Sequence, residues 1–273
     1  MKILVTGALG QIGSELVDTL TDRYASENVF ATDKKTNNQN FDCKFENLDV
    51  LNYGSIENIV AENNIDTIYH LAAILSAVAE EKPRLAWQVN MEGLKNVLEV
   101  AAKYDCAVFT PSSIGAFGPN TPKNKTPQDT IQRPTSMYGV TKVSGELLCD
   151  YYHTKFGVDT RGLRYPGIIS NKTLPGGGTT DYAVEIYYEA LKNGHYECFL
   201  EQETQLDMMY MPDAIKAAIE LMETPAEKLT HRNAFNVTSM SVTPRDFANS
   251  IKEYLPDFTV EYNVDQTKQK IAN

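Results

Sequence analysis

At 273 residues, with 42% hydrophobic content and a formal net charge of −11, the chain can bury an ordinary core and carries the wrong charge for nucleic acid or an anionic membrane surface. No apolar stretch reaches the roughly eighteen residues that span a bilayer, and the short apolar run after Lys2 is too brief for a secretory signal, so a cytoplasmic protein is expected. Its four cysteines (Cys43, Cys106, Cys149 and Cys198) lie far apart with no C-x-x-C spacing, which argues for reduced thiols and against a zinc site or redox pair.

Met1 to Thr6 is apolar and rich in β-branched residues, and it leads into Gly7-Ala8-Leu9-Gly10-Gln11-Ile12-Gly13. This pattern predicts a buried strand opening a parallel sheet. Gly7 suits the tight turn after the strand, Gly10 lets the backbone approach a pyrophosphate, and Gly13 lets the next helix pack closely. That helix is predicted over 11–24, with Ile12, Leu16, Val17 and Leu20 on one face and its N–H groups offered to phosphates. The G-x-x-G-x-x-G spacing resembles that of the short-chain dehydrogenase/reductase superfamily. A second strand, Val29-Phe30-Ala31-Thr32, ends at Asp33, twenty residues after Gly13. An acidic group there accepts hydrogen bonds from the adenosine ribose and repels a 2′-phosphate, which favours NAD over NADP. Lys34 and Lys35 weaken that argument, since a cation can hold the extra phosphate. Asn47-Leu48-Asp49-Val50 resembles the superfamily's adenine-contacting segment, with Asp49 as the contact.

Further strands are predicted at 65–71, entering a turn at Ala72-Ala73, at 106–110 and at 160–164. Helices are predicted over 84–104 and 136–156, and a polar surface loop over 118–134. Such alternation predicts an α/β Rossmann fold, a doubly wound and mostly parallel sheet that binds ligands at the carboxyl ends of its strands. After Pro166 the rhythm breaks. A flexible loop from Pro175 to Thr180 precedes a helix at 181–193, and 207–224 with a strand at 235–237 is expected to return to the main sheet. The expected division is an NAD-binding domain over 1–167, rejoined by 207–238, and a small substrate lobe from 168–206 and 239–273.

The catalytic signal is Tyr138-Gly139-Val140-Thr141-Lys142. Positions i and i+4 share a helix face, so phenol and ammonium look into one pocket. A tyrosine near its unperturbed pKa of about 10 is a poor base at neutral pH, and a fixed positive charge beside it favours the phenolate. Lys142 can also hold the nicotinamide ribose. Ser113 stands twenty-five residues before Tyr138 at a strand end, where its hydroxyl can bond a substrate oxygen passing between alcohol and carbonyl. The interval is that of extended short-chain dehydrogenases and nucleotide-sugar epimerases. Ser112 is read as a capping or loop residue, His70 as structural, Trp87 and the aromatics at 151–152 as residues packing on helices or at a dimer contact rather than a cofactor box, and the methionines at 208, 209 and 211 as core.

Leu163-Arg164-Tyr165-Pro166-Gly167-Ile168-Ile169-Ser170, the segment Pro175-Gly176-Gly177-Gly178-Thr179-Thr180-Asp181-Tyr182-Ala183-Val184-Glu185 and Met208-Met209-Tyr210-Met211-Pro212-Asp213-Ala214 resemble the L-threonine 3-dehydrogenases of the epimerase-like type. The resemblance spans essentially the whole chain. It implies oxidation of the β-hydroxyl of L-threonine to 2-amino-3-ketobutyrate, with NAD taking the hydride and Tyr138 as base. It also implies cofactor contacts from Gln11, Ile12, Leu71, Ala72, Ala73 and Tyr165, and substrate contacts from Ser76, Ser113, Tyr138, Thr179 and Thr180. Backbone N–H groups and hydroxyls can bind the substrate carboxylate. Asn90 resembles the family's helix asparagine near the active centre, and a homodimer formed through the Tyr138 helix and the preceding long helix is implied. The chain stops at Lys270-Ile271-Ala272-Asn273, where such relatives continue for several tens of residues, so a shortened C-terminus is expected. A nucleotide-sugar epimerase or dehydratase would share Ser113, Tyr138 and Lys142. A dinucleotide-binding redox sensor would ordinarily lack the tyrosine.

Overall fold

A computed structural model describes residues 1–36 and 41–272; the final residue, Asn273, lies outside the described residues. The first half alternates strand and helix: β1 (Ile3–Thr6), α1 (Gln11–Tyr24), β2 (Val29–Asp33), β3 (Lys44–Asn47), α2 (Tyr53–Asn63), β4 (Thr67–His70), α3 (Ser76–Glu81), α4 (Pro83–Trp87), α5 (Gly93–Tyr104) and β5 (Ala107–Phe109). Next come β6 (Ser112–Ser113), α6 (Met137–Phe156), β7 (Thr160–Arg161), β8 (Leu163–Tyr165) and β9 (Gly167–Ile169). The remainder comprises α7 (Tyr182–Asn193), β10 (His195–Cys198), β11 (Leu206–Tyr210), α8 (Met211–Glu223), β12 (Phe235–Asn236), β13 (Met240–Val242), α9 (Pro244–Lys252), β14 (Thr259–Tyr262) and α10 (Gln266–Ala272).

Six strands pair in the order β3-β2-β1-β4-β5-β7, and every pairing is parallel. β1 lies in the middle, buried along its whole length, because a strand covered by helices on both faces has no polar side. Its alternate residues feed two cores. Leu4 joins Ile56, Val60, Leu94, Leu98 and Cys149 on one face. Ile3 and Val5 join Leu16, Leu20, Met211, Ile215 and Ile219 on the other. Cys106, Cys149 and Cys198 are buried, Cys43 is half-buried, and all four are free. Burial pushes the Cys106 thiol up to about 12.

The ladder is interrupted beyond β5 and β7. Pro111 has no N–H to donate, and Gly162 separates β7 from β8. Pairing then resumes as a parallel trio in the order β12-β8-β6. The segment expected to rejoin the sheet therefore divides. β12 extends the resumed ladder and α8 covers the β1 core, whereas β11 pairs with β9 and β13 in a separate small sheet. A third apolar cluster, including Tyr182, Ile186, Leu200, Phe247 and Phe258, lies among α7, α9 and the β10–β14 pair. The long helix expected over 84–104 contains a π-helical turn at Gln88–Glu92 between α4 and α5. No described helix is long and apolar enough to cross a membrane.

One buried ion pair joins α6 to the resumed ladder. The Glu146 carboxylate accepts hydrogen bonds from Arg164 Nε at 3.0 Å and Nη2 at 2.8 Å, from Gln132 Nε2 at 2.9 Å and from the Ser112 hydroxyl. Arg164 Nη1 reaches the Gln128 carbonyl at 2.9 Å and Asn236 Oδ1 at 3.0 Å. Ser112 thus anchors β6 to α6. The second half of the 118–134 loop is anchored through the same pair by Gln128 and Gln132. Removing one member leaves the other charge buried without its partner. Glu146→Ala is expected to lower stability by about 3–5 kcal/mol, read as a fall in the denaturant midpoint.

Candidate active site

The glycine turn after β1 is shaped by close contacts. Gly7 has φ +72°, and a Cβ there would lie 2.7 Å from the Ala72 nitrogen. A Cβ on Gly13 would lie 2.2 Å from the Gly7 carbonyl. Gly10 caps α1, and the first-turn N–H groups of a helix have no intrahelical carbonyl to donate to. These features fit a dinucleotide pyrophosphate: a close backbone, no Cβ in the way, and the positive end of a helix. Asp33 closes the far side. Its Oδ2 accepts Leu9 N–H at 3.1 Å and its Oδ1 accepts Lys35 N–H at 2.9 Å, leaving further lone pairs for ribose hydroxyls. Asp49 accepts Leu51 N–H at 3.0 Å and pairs with Lys34 Nζ at 2.7 Å. The lysine hydrogen bond holds its carboxyl below the usual range.

Leu71, Ala72 and Ala73 leave the end of β4, with Leu71 N–H bonded to the Thr6 carbonyl at 3.0 Å. The turn they begin is clamped by Asn90, which lies in the π-helical turn. Asn90 Oδ1 accepts Ile74 N–H at 2.7 Å, and its Nδ2 donates to the Ile74 carbonyl at 3.1 Å and to Thr141 Oγ1 at 3.0 Å. The segment leading to Ser76 is thereby tied to the helix carrying Tyr138 and Lys142.

That helix begins at a Ser136 cap, whose Oγ accepts Gly139 N–H at 3.0 Å, and Glu80 accepts Met137 N–H at 2.5 Å. Tyr138 therefore sits in a fixed first turn. Lys142 Nζ lies 5.4 Å from the Tyr138 ring centroid and donates to the Pro111 carbonyl at 2.7 Å. Ser113 follows at the end of β6, its Oγ accepting Gly115 N–H at 3.1 Å. A Cβ on Gly115 would stand 3.2 Å from the Tyr138 ring and 3.5 Å from Ser113 Oγ, so ring and hydroxyl flank the same glycine. A small cavity lined by His70, Asn90, Pro111, Thr141, Lys142 and Glu146 lies beneath them.

The 175–180 loop is more constrained than its glycines suggest. Asp181 Oδ2 accepts Gly177 N–H at 2.8 Å and Gly178 N–H at 2.7 Å, and the Gly177 carbonyl accepts Ala77 N–H at 3.2 Å. Gly177, two residues before Thr179, is thus tied to the residue that follows Ser76. The two glycine N–H groups are already occupied, which leaves hydroxyls as the better candidates for a substrate carboxylate. Thr180 packs against Gly167 on β9. Gln11 Nε2 donates to Ser170 Oγ at 3.0 Å, so its side chain turns toward the strand end and its main chain toward the cradle. Tyr165 is committed to the core, its hydroxyl donating to the Ala214 carbonyl at 2.6 Å, and any cofactor contact falls to its backbone. Asp181 and Thr141 escaped sequence reasoning. The only advance sign of Asp181 was an acidic residue following the glycine loop at a helix start.

A parallel sheet in this order, with a glycine cradle at β1 and an acidic residue ending β2, defines a dinucleotide-binding enzyme of the Rossmann class. Residues 3–238 match the NAD dependent epimerase/dehydratase family. The chain is 54% identical to an uncharacterized epimerase/dehydratase of Staphylococcus saprophyticus, covering 100% of this chain and 86% of that one. The structure of an L-threonine dehydrogenase from Clostridium difficile is 59% identical with a TM-score of 0.96, covering 99% of this chain and 86% of the other. A monomeric L-threonine 3-dehydrogenase from a metagenome is 49% identical with a TM-score of 0.95, covering 99% and 87%. The chain belongs to the NAD dependent epimerase/dehydratase family, and NAD is its cofactor.

His70 ends β4 beneath this site. Its Nδ1 bonds Thr6 Oγ1 at 2.8 Å. Burial, followed by the positive charge of Lys142, lowers its pKa to about 3. The unfolded histidine titrates near 6.5, so between those values the unfolded chain binds the extra proton and stability falls as pH falls. Between pH 6 and pH 4, wild type is expected to lose about 1.4 kcal/mol per pH unit relative to His70→Gln, measured by urea unfolding. Equal slopes would place the charged imidazole inside the folded protein.

Proposed function

We propose that this chain is an L-threonine 3-dehydrogenase, oxidising the β-hydroxyl of L-threonine to 2-amino-3-ketobutyrate. The observation that carries the reading is the pinning of the 175–180 loop onto the Ser76 turn. It sets a hydroxyl-bearing glycine loop against the Ser76 turn, a chemistry suited to an amino acid rather than a nucleotide-sugar. The names of the C. difficile and metagenomic proteins support the same substrate.

NAD, when bound, supplies the hydride acceptor. Tyr138, as phenolate, takes the proton of the substrate hydroxyl while the β-carbon gives up its hydrogen with the bonding electron pair. Lys142 stabilises negative charge on the phenol oxygen, and Ser113 donates a hydrogen bond to the developing carbonyl. Ser76 and Thr179 orient the amino acid, with Thr180 holding the loop against β9. Covering the site excludes water around the transfer. In an assay following nicotinamide reduction, turnover is expected with L-threonine and not with UDP-glucose. Tyr138→Phe is expected to lower kcat by about 10²- to 10⁴-fold. Equal turnover by the Phe variant would remove Tyr138 as the base, and conversion of UDP-glucose to its epimer without turnover of L-threonine, followed by chromatography because epimerisation gives no net nicotinamide reduction, would replace the substrate assignment.

The same reading includes a homodimer. Val140, Leu147 and Tyr151 form an exposed stripe on α6, and Leu85 and Trp87 are exposed on α4, with Leu147 64% exposed. An exposed apolar stripe of this kind suits a self-complementary interface. Sedimentation is expected to give a dimer, converted to monomer by Leu147→Glu. A monomeric wild type, as in the metagenomic relative, would overturn the assignment.

A further inference from the structure

The adenosine end of the cradle carries two lysines directly after the acidic residue that ends β2. In dinucleotide-binding folds a cation at this place accommodates the 2′-phosphate that distinguishes NADP from NAD. Here the Lys34 ammonium is engaged by a carboxylate. Its ammonium lies 2.7 Å from Asp49 Oδ2. Asp49 is itself oriented by Leu51 N–H on its other oxygen. The backbone that launches Lys34 is also restrained, because Asn47 Nδ2 donates to the Lys34 carbonyl at 2.8 Å and to the Asp33 carbonyl at 3.2 Å. Asp33 meanwhile faces the ribose position, held between Leu9 and Lys35 N–H.

We infer that Asp49 is a second determinant of cofactor choice, acting by holding Lys34 out of reach of a 2′-phosphate. Asp33 repels the phosphate directly, and Asp49 withholds the cation that would offset that repulsion. The inference concerns the NAD site alone and is independent of the substrate. The Lys34 side chain is 70% exposed and that of Asp49 36%, so the effect is modest and weakens with salt.

The test is fluorescence titration of NADH and NADPH against wild type, Asp49→Asn, Lys34→Gln and the double variant. Loss of an adenine contact in Asp49→Asn would weaken both cofactors alike, so the ratio of their dissociation constants is the readout. That ratio is expected to move toward NADPH by about two- to fivefold in Asp49→Asn. The gain is expected to vanish in the double variant and to shrink in 0.5 M salt. Lys34→Gln alone is expected to leave the ratio unchanged, because the lysine is already withdrawn. An unchanged ratio in folded Asp49→Asn, or a gain that survives removal of Lys34, would overturn the inference. So would a shift toward NADH in Lys34→Gln, which would mean that the tethered lysine already reaches the phosphate.

Discussion

The amide of Asn90 is the constraint on which the site depends. It accepts from and donates to the main chain of Ile74 while also bonding Thr141, one turn along from Tyr138. The turn at the end of β4 and the helix bearing the tyrosine and lysine therefore share one buried connector. The π-helical turn gives Asn90 this reach, since one wider turn rotates the side chain out of the register that a continuous α-helix would impose. An aspartate could not reproduce the arrangement, because a carboxylate has no N–H for Ile74 and Thr141.

Charge is distributed with similar economy. Glu146 and Arg164 neutralise one another beneath β6, and His70 is held neutral beside them. Lys142 therefore stands near two potential sources of charge without being countered by either. Loop order on the substrate side comes from a different acid. Asp181 gathers two glycine N–H groups and converts a nominally flexible segment into a defined turn.

Much of this was legible in the sequence wherever the determinants are local. The glycine cradle, Asp33 at the end of β2 and the Tyr138–Lys142 spacing depend on short-range periodicity and on turn chemistry that a single segment specifies. The π-helical turn was not legible, because 84–104 has ordinary helical periodicity and the shift is stabilised by Ile74 and Thr141, each far away in the chain. The interruption at Gly162 was likewise hidden, because 160–164 reads as one continuous strand, whereas the strand expected over 106–110 already stops before Pro111, and what stayed hidden there is that pairing resumes beyond it. Lys34 looked available to a phosphate because its partner, Asp49, is brought beside it only when β3 pairs with β2. Tyr165 matched a cofactor-contacting motif, yet its side chain went to the core, since sequence similarity cannot separate a main-chain role from a side-chain one.

The break in the sheet at Pro111 has a consequence for Lys142. With the ladder interrupted there, the Pro111 carbonyl is available to receive the lysine ammonium. The lysine is thus aimed by a neutral dipole rather than by a carboxylate. A carboxylate tether would fix the same geometry while cancelling the field that the phenol oxygen needs. An uncharged anchor gives orientation and leaves the monopole intact.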